Sequence, residues 1–304
     1  MIQSLKNLKN FYPLLRGVKN EIIESIRFGQ KEDFLTSLTL NSNKSGVTEK
    51  QYGNNEVIVS LTTFGRRLSR VYLTIESLMQ QSMPANRIIL WISEEFKEQK
   101  LPMYLQLQMS RGLEVRYCKD IRSYTKLIPS LRAFPNATII TVDDDLIYDS
   151  DVLETLIVPY LKNPNAIYSN RIHKMKKNND GTLMSYMDWE WHAPYTEGSD
   201  KMNFLTGVGG VLYPPKSLDP EVLNEDVFLD ICKYADDVWF TAMALKANTS
   251  IVKTQTFNVC GEGYIDNIYV QDTALHNQNI DPNNCRNDIQ IKAVFKKYDI
   301  YSKL

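Results

Sequence analysis

Thr138-Ile139-Ile140-Thr141-Val142 is β-branched at every position and runs directly into Asp143, Asp144 and Asp145. A run of that length and branching suits a parallel strand buried on both faces. Three adjacent carboxylates cannot all lie close together in a dry site, because like charges a few ångströms apart raise one another's pKa. The cluster is therefore expected in open water or around a cation. In open α/β sheets, ligands bind just outside the carboxyl ends of the strands, and these acids fall at that place. One reading is a solvated strand-to-loop turn, where Asp is common. The other is a hard-metal site, for Mg²⁺ or Mn²⁺, that meets a phosphate-bearing substrate.

The strand belongs to a longer rhythm that begins at residue 56. Val57-Ile58-Val59-Ser60-Leu61 reads as a first strand, followed by the turn Thr62-Thr63-Phe64-Gly65-Arg66-Arg67. Val71, Ile75, Leu78 and Met79 then mark the inner side of a helix that closes before Pro84. Arg87–Ile92 is a second strand, Leu113–Tyr117 a third, and a helix near Thr125 to Phe134 precedes the aspartate strand. Strands alternating with helices predict an α/β domain with a mostly parallel sheet and flanking helices.

The 304 residues suit one large α/β domain with an extension. Thirty-five basic and 36 acidic side chains nearly cancel, to a formal charge of −1. No stretch interleaves bases with aromatics, so a nucleic-acid partner is not expected. Cys118, Cys232, Cys260 and Cys285 are widely spaced and form no C-x-x-C pair, which argues against a zinc or thioredoxin-like site. Scattered cysteines without a secretory signal fit a reducing cytosol, and no apolar run approaches the roughly 20 residues needed to span a bilayer. A cytoplasmic protein is expected, soluble or peripheral on the inner face of the cell membrane.

Residues 1–50 read as a helical extension and polar linker, and residues 51–304 as the main domain. In the extension, Ile2, Leu5, Leu8, Tyr12, Leu15, Val18, Ile22 and Ile26 recur at spacings of three and four, with basic residues between them. Pro13 is expected to split the segment into two helices. A basic amphipathic helix of this kind lies on an anionic membrane surface through residues 1–30, or packs on its own domain or on a second subunit of an oligomer.

Past residue 150 four features carry chemistry. Asp188-Trp189-Glu190-Trp191 sets indoles beside carboxylates, which suits a sugar whose C–H face stacks while its hydroxyls are hydrogen-bonded, or else a core strand with alternating acids. Gly207, Gly209 and Gly210 crowd one loop in a chain of only 13 glycines. Glycine permits close backbone approach to a ligand or a tight structural turn, and the loop has no P-loop pattern. Asp236-Asp237 opens an apolar helix, as cap and first-turn acid or with one of them as a general base. His276, one of three histidines, is either structural or a member of a metal shell.

Taken in order, these elements resemble a GT-A-fold glycosyltransferase, and more narrowly the bacterial enzymes that build capsule and lipopolysaccharide. The likeness rests on the first strand with Thr62-Thr63-Phe64, on Tyr124-Thr125-Lys126-Leu127-Ile128-Pro129, on the aspartate cluster, on Gly207-Val208-Gly209-Gly210 and on Asp236-Asp237-Val238-Trp239. It implies a GT-A (Rossmann-like) fold over residues 56 to 280; the N-terminal helices lie outside the shared pattern. By that resemblance Asp143 to Asp145 form a D-x-D motif, with Asp145 on Mn²⁺ or Mg²⁺ and Asp143 nearer the ribose. Asp144, Thr62, Thr63, Phe64, Arg66 and Lys126 would border a nucleotide-sugar donor, a UDP-sugar being favoured. Asp188, Trp189, Glu190, Trp191, Gly207, Gly209, Gly210 and Asp236 would line the donor sugar and a saccharide or lipid-linked acceptor. Asp237 would be the catalytic base, although families with this acidic pair more often carry Glu at the first position. His276 would join Asp143 and Asp145 at the metal.

The alternative is a haloacid-dehalogenase-type, Mg²⁺-dependent phosphatase, with Asp143 as a phosphorylated nucleophile and Asp145 as general acid. Against it stand the position of the aspartate strand, fourth and not first, and Ile147 where Thr or Val is expected.

Overall fold

The structure is a computed structural model that describes residues 2–195, 198–255, 263–270 and 285–304. Strands β1 (Val57–Thr62), β2 (Arg87–Ser93), β3 (Leu113–Cys118) and β4 (Thr138–Thr141) are joined through helices α2 (Tyr72–Met79), α3 (Met103–Met109) and α4 (Ile128–Ala133). Later come β6 (Ile167–Ser169), β9 (Val211–Tyr213) and β10 (Ile251–Lys253). Together they form one seven-stranded sheet in the order β10-β6-β9-β4-β1-β2-β3. β1 pairs in parallel with β2 and β4, β2 with β3, and β6 with β10; β9 alone runs antiparallel, between β4 and β6. This is a Rossmann-like α/β sheet with flanking helices, as the strand–helix rhythm predicts.

Both faces of the sheet are covered, which is why its strands read as continuous apolar runs. On β1, Ile58 faces one apolar cluster with Ile139, Tyr124, Tyr213 and Trp239; Val57, Val59 and Leu61 face a second with Ile140, Leu90 and Leu156. The strand order also creates the binding position. The chain builds outward from β1 to β3 and then returns to place β4 on the other side of β1. The carboxyl ends of β1 and β4 therefore flank a switch point, where α/β sheets open a crevice.

Two antiparallel pairs extend the sheet's carboxyl side. β5 (Leu146–Tyr148), just after the aspartates, pairs with β11 (Tyr264–Asp266), and β7 (Ile172–Lys174) pairs with β8 (Asn203–Leu205). Helices α5 (Val152–Lys162), α6 (Glu225–Ile231), α7 (Asp236–Lys246) and α8 (Arg286–Lys297) complete the layers.

Helix α1 runs unbroken from Ile2 to Asn41, so Pro13 does not split it. A proline removes one bond of the ladder, and a helix this long carries that loss. Its last turns dock on the domain: Phe28 and Leu35 are buried in the second cluster, and Thr39 donates to Glu76 Oε2 at 3.0 Å. Glu76 and Arg111 form a buried two-pronged ion pair, both bonds 2.9 Å. The segment expected as a linker is a strap laid along the domain. Gly46 N–H donates to Arg111 O and Thr48 N–H to Ala85 O, and Tyr52 is buried. Among the described residues no helix is long and apolar enough to cross a membrane.

Candidate functional site

The turn after β4 brings the aspartates to the switch point, and two buried cations meet them there. Lys126 ends a 3-10 turn (Arg122–Lys126) tied to β1 by the bond from Ser60 Oγ to Lys126 O, 2.6 Å. Its ammonium is 2.9 Å from Asp143 Oδ1 and 3.1 Å from Asp236 Oδ2. Burial works to lower the Lys126 pKa, but the carboxylates of Asp143, Asp236 and Asp237 more than reverse this and hold it well above the ordinary lysine value. Arg67, in the 3-10 turn Gly65–Ser69 after β1, reaches Asp144 Oδ1 at 2.6 Å and Asp145 Oδ2 at 3.2 Å. Tyr148 Oη accepts the Asp143 N–H at 2.9 Å and steadies the turn from β5.

The glycine loop closes the other side. Gly207 N–H donates to Asp237 Oδ1 at 3.0 Å. A Cβ built on Gly207 would lie 2.5 Å from Lys126 Nζ, 3.3 Å from Asp237 Oδ1 and 3.6 Å from Asp143 Oδ1. Lys126, Asp237 and Asp143 thus surround one point, and glycine is the residue that leaves it open. Gly209 and Gly210 turn the loop back at φ of +88° and +98°, the left-handed region that glycine enters without strain. Asn170 Nδ2 holds the loop by donating to Gly209 O at 2.9 Å.

Asp236 and Asp237 occupy the first turn of α7, where the helix dipole favours negative charge. Burial, then the charge of Asp236, raises Asp237 to about 7 against the pull of Lys126. Burial and the neighbouring Asp143 likewise raise Asp145 to about 7, and burial raises Asp144 while Arg67 opposes it. Asp143, Asp144, Asp145, Asp236 and Asp237 are five acids against the two cations Lys126 and Arg67. The cluster is short of positive charge.

That shortage bears on the metal. Among the described residues no three His, Cys, Asp or Glu side chains converge as a ready ligand set, and His276 lies outside the described residues. Mg²⁺ and similar ions, however, are commonly held by one or two carboxylates with substrate phosphates filling the shell. Asp143 and Asp145 fit that use, because burial and the Asp143 charge both disfavour an ionised Asp145 unless a cation is present.

The remaining expected residues divide. Thr63 is buried beside Asp144; Thr62 Oγ1 donates to Trp91 O within the sheet. Phe64 is exposed under the Arg67 guanidinium, 5.1 Å from ring centre, and Arg66 is on the exposed side of the turn. Trp189 is 4 % exposed, packed against Tyr186 and Phe204 with its Nε1–H on Met184 O. Trp191 stacks on His173 and donates to Tyr186 O, Asp188 is exposed, and Glu190 bridges its backbone to Lys174. The site that forms therefore joins Lys126, the aspartate cluster, Gly207 and the Asp236-Asp237 pair, and leaves the Trp189 ring in the core. Arg67, Tyr148, Arg171 and Tyr186 were not singled out from sequence. Only Arg67 had a signal: three adjacent acids are met either by water or by a cation, and the turn after β1 offered two arginines.

No protein-family model and no curated protein matches the sequence. Similar solved structures include a CMP:2-keto-3-deoxy-manno-octonic acid synthetase complexed with CTP, at 13 % identity, covering 74 % of this chain and 100 % of that one, with a TM-score of 0.41. Another is the inositol-1-phosphate CTP transferase from T. maritima, at 10 % identity over 67 % of this chain and 86 % of that one, also with a TM-score of 0.41. A mannosyltransferase from Pyrobaculum calidifontis in complex with GDP-Man and Mn²⁺ is similar at 12 % identity, covering 76 % and 61 %, again with a TM-score of 0.41. Likeness at this level carries no weight for the chemistry, which rests on the residues themselves.

Proposed function

We propose that this chain is a glycosyltransferase that moves a sugar from a nucleoside-diphosphate donor to a hydroxyl of a saccharide or lipid-linked acceptor. By resemblance, the setting is bacterial surface-polysaccharide synthesis in the cytoplasm, with residues 1–30 as the candidate contact with the inner face of the membrane. The observation that carries this reading is the meeting of Asp237, Lys126 and Asp143 around Gly207 at the switch point of the sheet.

Asp237 is the base. Its carboxylate is fixed through one oxygen by the Gly207 N–H, and a pKa of about 7 suits proton transfer near neutral pH. The acceptor oxygen attacks the anomeric carbon, its proton passes to Asp237, and the bond to the diphosphate breaks with its electron pair leaving on the nucleotide. Lys126 and Arg67 offset part of the acid charge where the diphosphate would arrive. A divalent ion held by Asp143 and Asp145 would add Lewis-acid stabilisation of that leaving group. With the base on the acceptor's side, inversion at the anomeric carbon is expected.

The test is a thermal-shift screen against UDP, GDP, CDP and CMP, each with Mn²⁺ and with EDTA. Mn²⁺-dependent stabilisation by one nucleotide supports the reading and identifies the donor class. No nucleotide response, together with turnover of para-nitrophenyl phosphate, puts the phosphatase alternative in its place.

A further inference from the structure

Arg171 stands at the edge of the glycine loop with its charge unspent. It follows β6, is half-buried, and its Nε donates to Thr206 Oγ1 at 2.9 Å. Thr206 in turn bonds back to Arg171 O at 3.0 Å, so loop and arginine are locked together. The next residue, Gly207, holds the proposed base through its N–H. Guanidinium and base carboxylate are thus anchored to consecutive residues of one loop. Among the described residues no carboxylate pairs with Arg171. Arg67, Arg70, Arg87, Arg111, Arg116 and Arg132 all have such a partner.

Tyr186 lies in the same neighbourhood. Burial raises its phenol, the Asp237 charge adds to that and Arg171 opposes it, so the ring lies within electrostatic reach of both groups. Tyr186 is itself held from α8, whose Asp288 accepts its backbone N–H at 2.7 Å. The wall beside the base therefore has a fixed aromatic and a fixed cation.

We infer that Arg171 binds an anionic substituent, a carboxylate or a phosphate, on the acceptor whose hydroxyl faces Asp237. A guanidinium fork matches either anion through two parallel hydrogen bonds, and a half-buried one left without an acid favours the substrate that supplies it. The inference rests on the glycosyltransferase reading and adds the acceptor's chemical class: an acidic or phosphorylated sugar.

The experiment is calorimetric binding of methyl β-glucuronide, glucose 6-phosphate and neutral methyl β-glucoside to the full chain saturated with its stabilising nucleotide. Wild type, Arg171→Gln and Arg171→Lys are compared. One or both anions should bind wild type at least tenfold more tightly than the neutral glycoside, and the stronger of the two identifies carboxylate or phosphate. Arg171→Gln should remove the gap and leave nucleotide affinity unchanged, while Arg171→Lys should restore part of it, which a loop-packing role would not. Equal binding of charged and neutral sugars, or a gap that survives Arg171→Gln, overturns the inference with the nucleotide site intact. Failure of wild type to bind any nucleotide instead overturns the glycosyltransferase reading on which it rests.

Discussion

Lys126 and Asp143 are 17 residues apart in sequence, one before α4 and the other after β4, yet their side chains meet at 2.9 Å. The contact links the turn before α4 to the carboxyl end of β4 and sets one buried positive charge among the acids of the site. Removing it leaves Asp236 buried, and Asp143 partly buried, without their cation. Lys126→Met should therefore cost about 3–5 kcal/mol of stability as well as activity. Chemical denaturation of the variant checks the first part, and an unchanged midpoint would contradict it.

Gly207→Ala tests the close approach directly. The added methyl falls 2.5 Å from the ammonium of Lys126, at the tip of a flexible side chain. The fold should survive with its circular dichroism unchanged, while Lys126 is pushed off its carboxylates. Transfer should fall by about 10²-fold, on the scale of a lost electrostatic contact at a reacting centre.

Asp237→Asn should slow transfer by about 10² to 10⁴ with nucleotide affinity retained. In the wild type, kcat/KM should rise with pH through about 7 as Asp237 loses its proton. The same shift has a stability consequence. A carboxyl raised from 3.8 to about 7 binds its proton more tightly folded than unfolded, so its contribution is present at low pH and lost between about 4 and 7. His173, which burial lowers to about 3, works in the other direction below 6.5. The clean measurement is the stability difference between Asp237→Asn and wild type, which should grow in the variant's favour as pH rises to about 7.

Asp145→Asn should abolish the Mn²⁺-dependent part of nucleotide stabilisation and leave the protein folded. The carboxamide relieves the burial cost and the repulsion from Asp143 that raise this group, and Arg67 keeps its 2.6 Å contact with Asp144 in place of the 3.2 Å pair it loses, so the metal-free protein should be no less stable. Equal Mn²⁺ response in variant and wild type would remove Asp145 from the metal site.

Trp189→Ala should act as a core deletion. The ring is 4 % exposed and packed edge-on against Phe204, so about 3–5 kcal/mol of stability should be lost. A selective rise in acceptor KM with normal stability would instead place Trp189 at the sugar.

The strands were legible because the property that reveals them is local. Thr138 to Val142 is branched and apolar because β4 is covered on both faces, and any chain with that run must bury it. The acids at its end, the paired acids opening α7 and the glycine-dense loop were legible for the same reason, each being a short pattern with its own chemistry. Partnership was not. Arg66 and Arg67 are equivalent on paper, and the 3-10 turn that carries both sends Arg67 inward to Asp144 and Asp145 while Arg66 stays exposed. Trp189 reads equally as sugar platform or core, and packing with Tyr186 and Phe204 decides it. The α/β sheet and the place where its acids gather were readable along the chain, since hydrophobic period and strand length depend on neighbours in sequence. Which cation meets which acid, why Gly207 must be bare, and the anchoring of Arg171 and Asp237 to consecutive residues of one loop come from the fold, because those depend on groups brought together from distant parts of the chain.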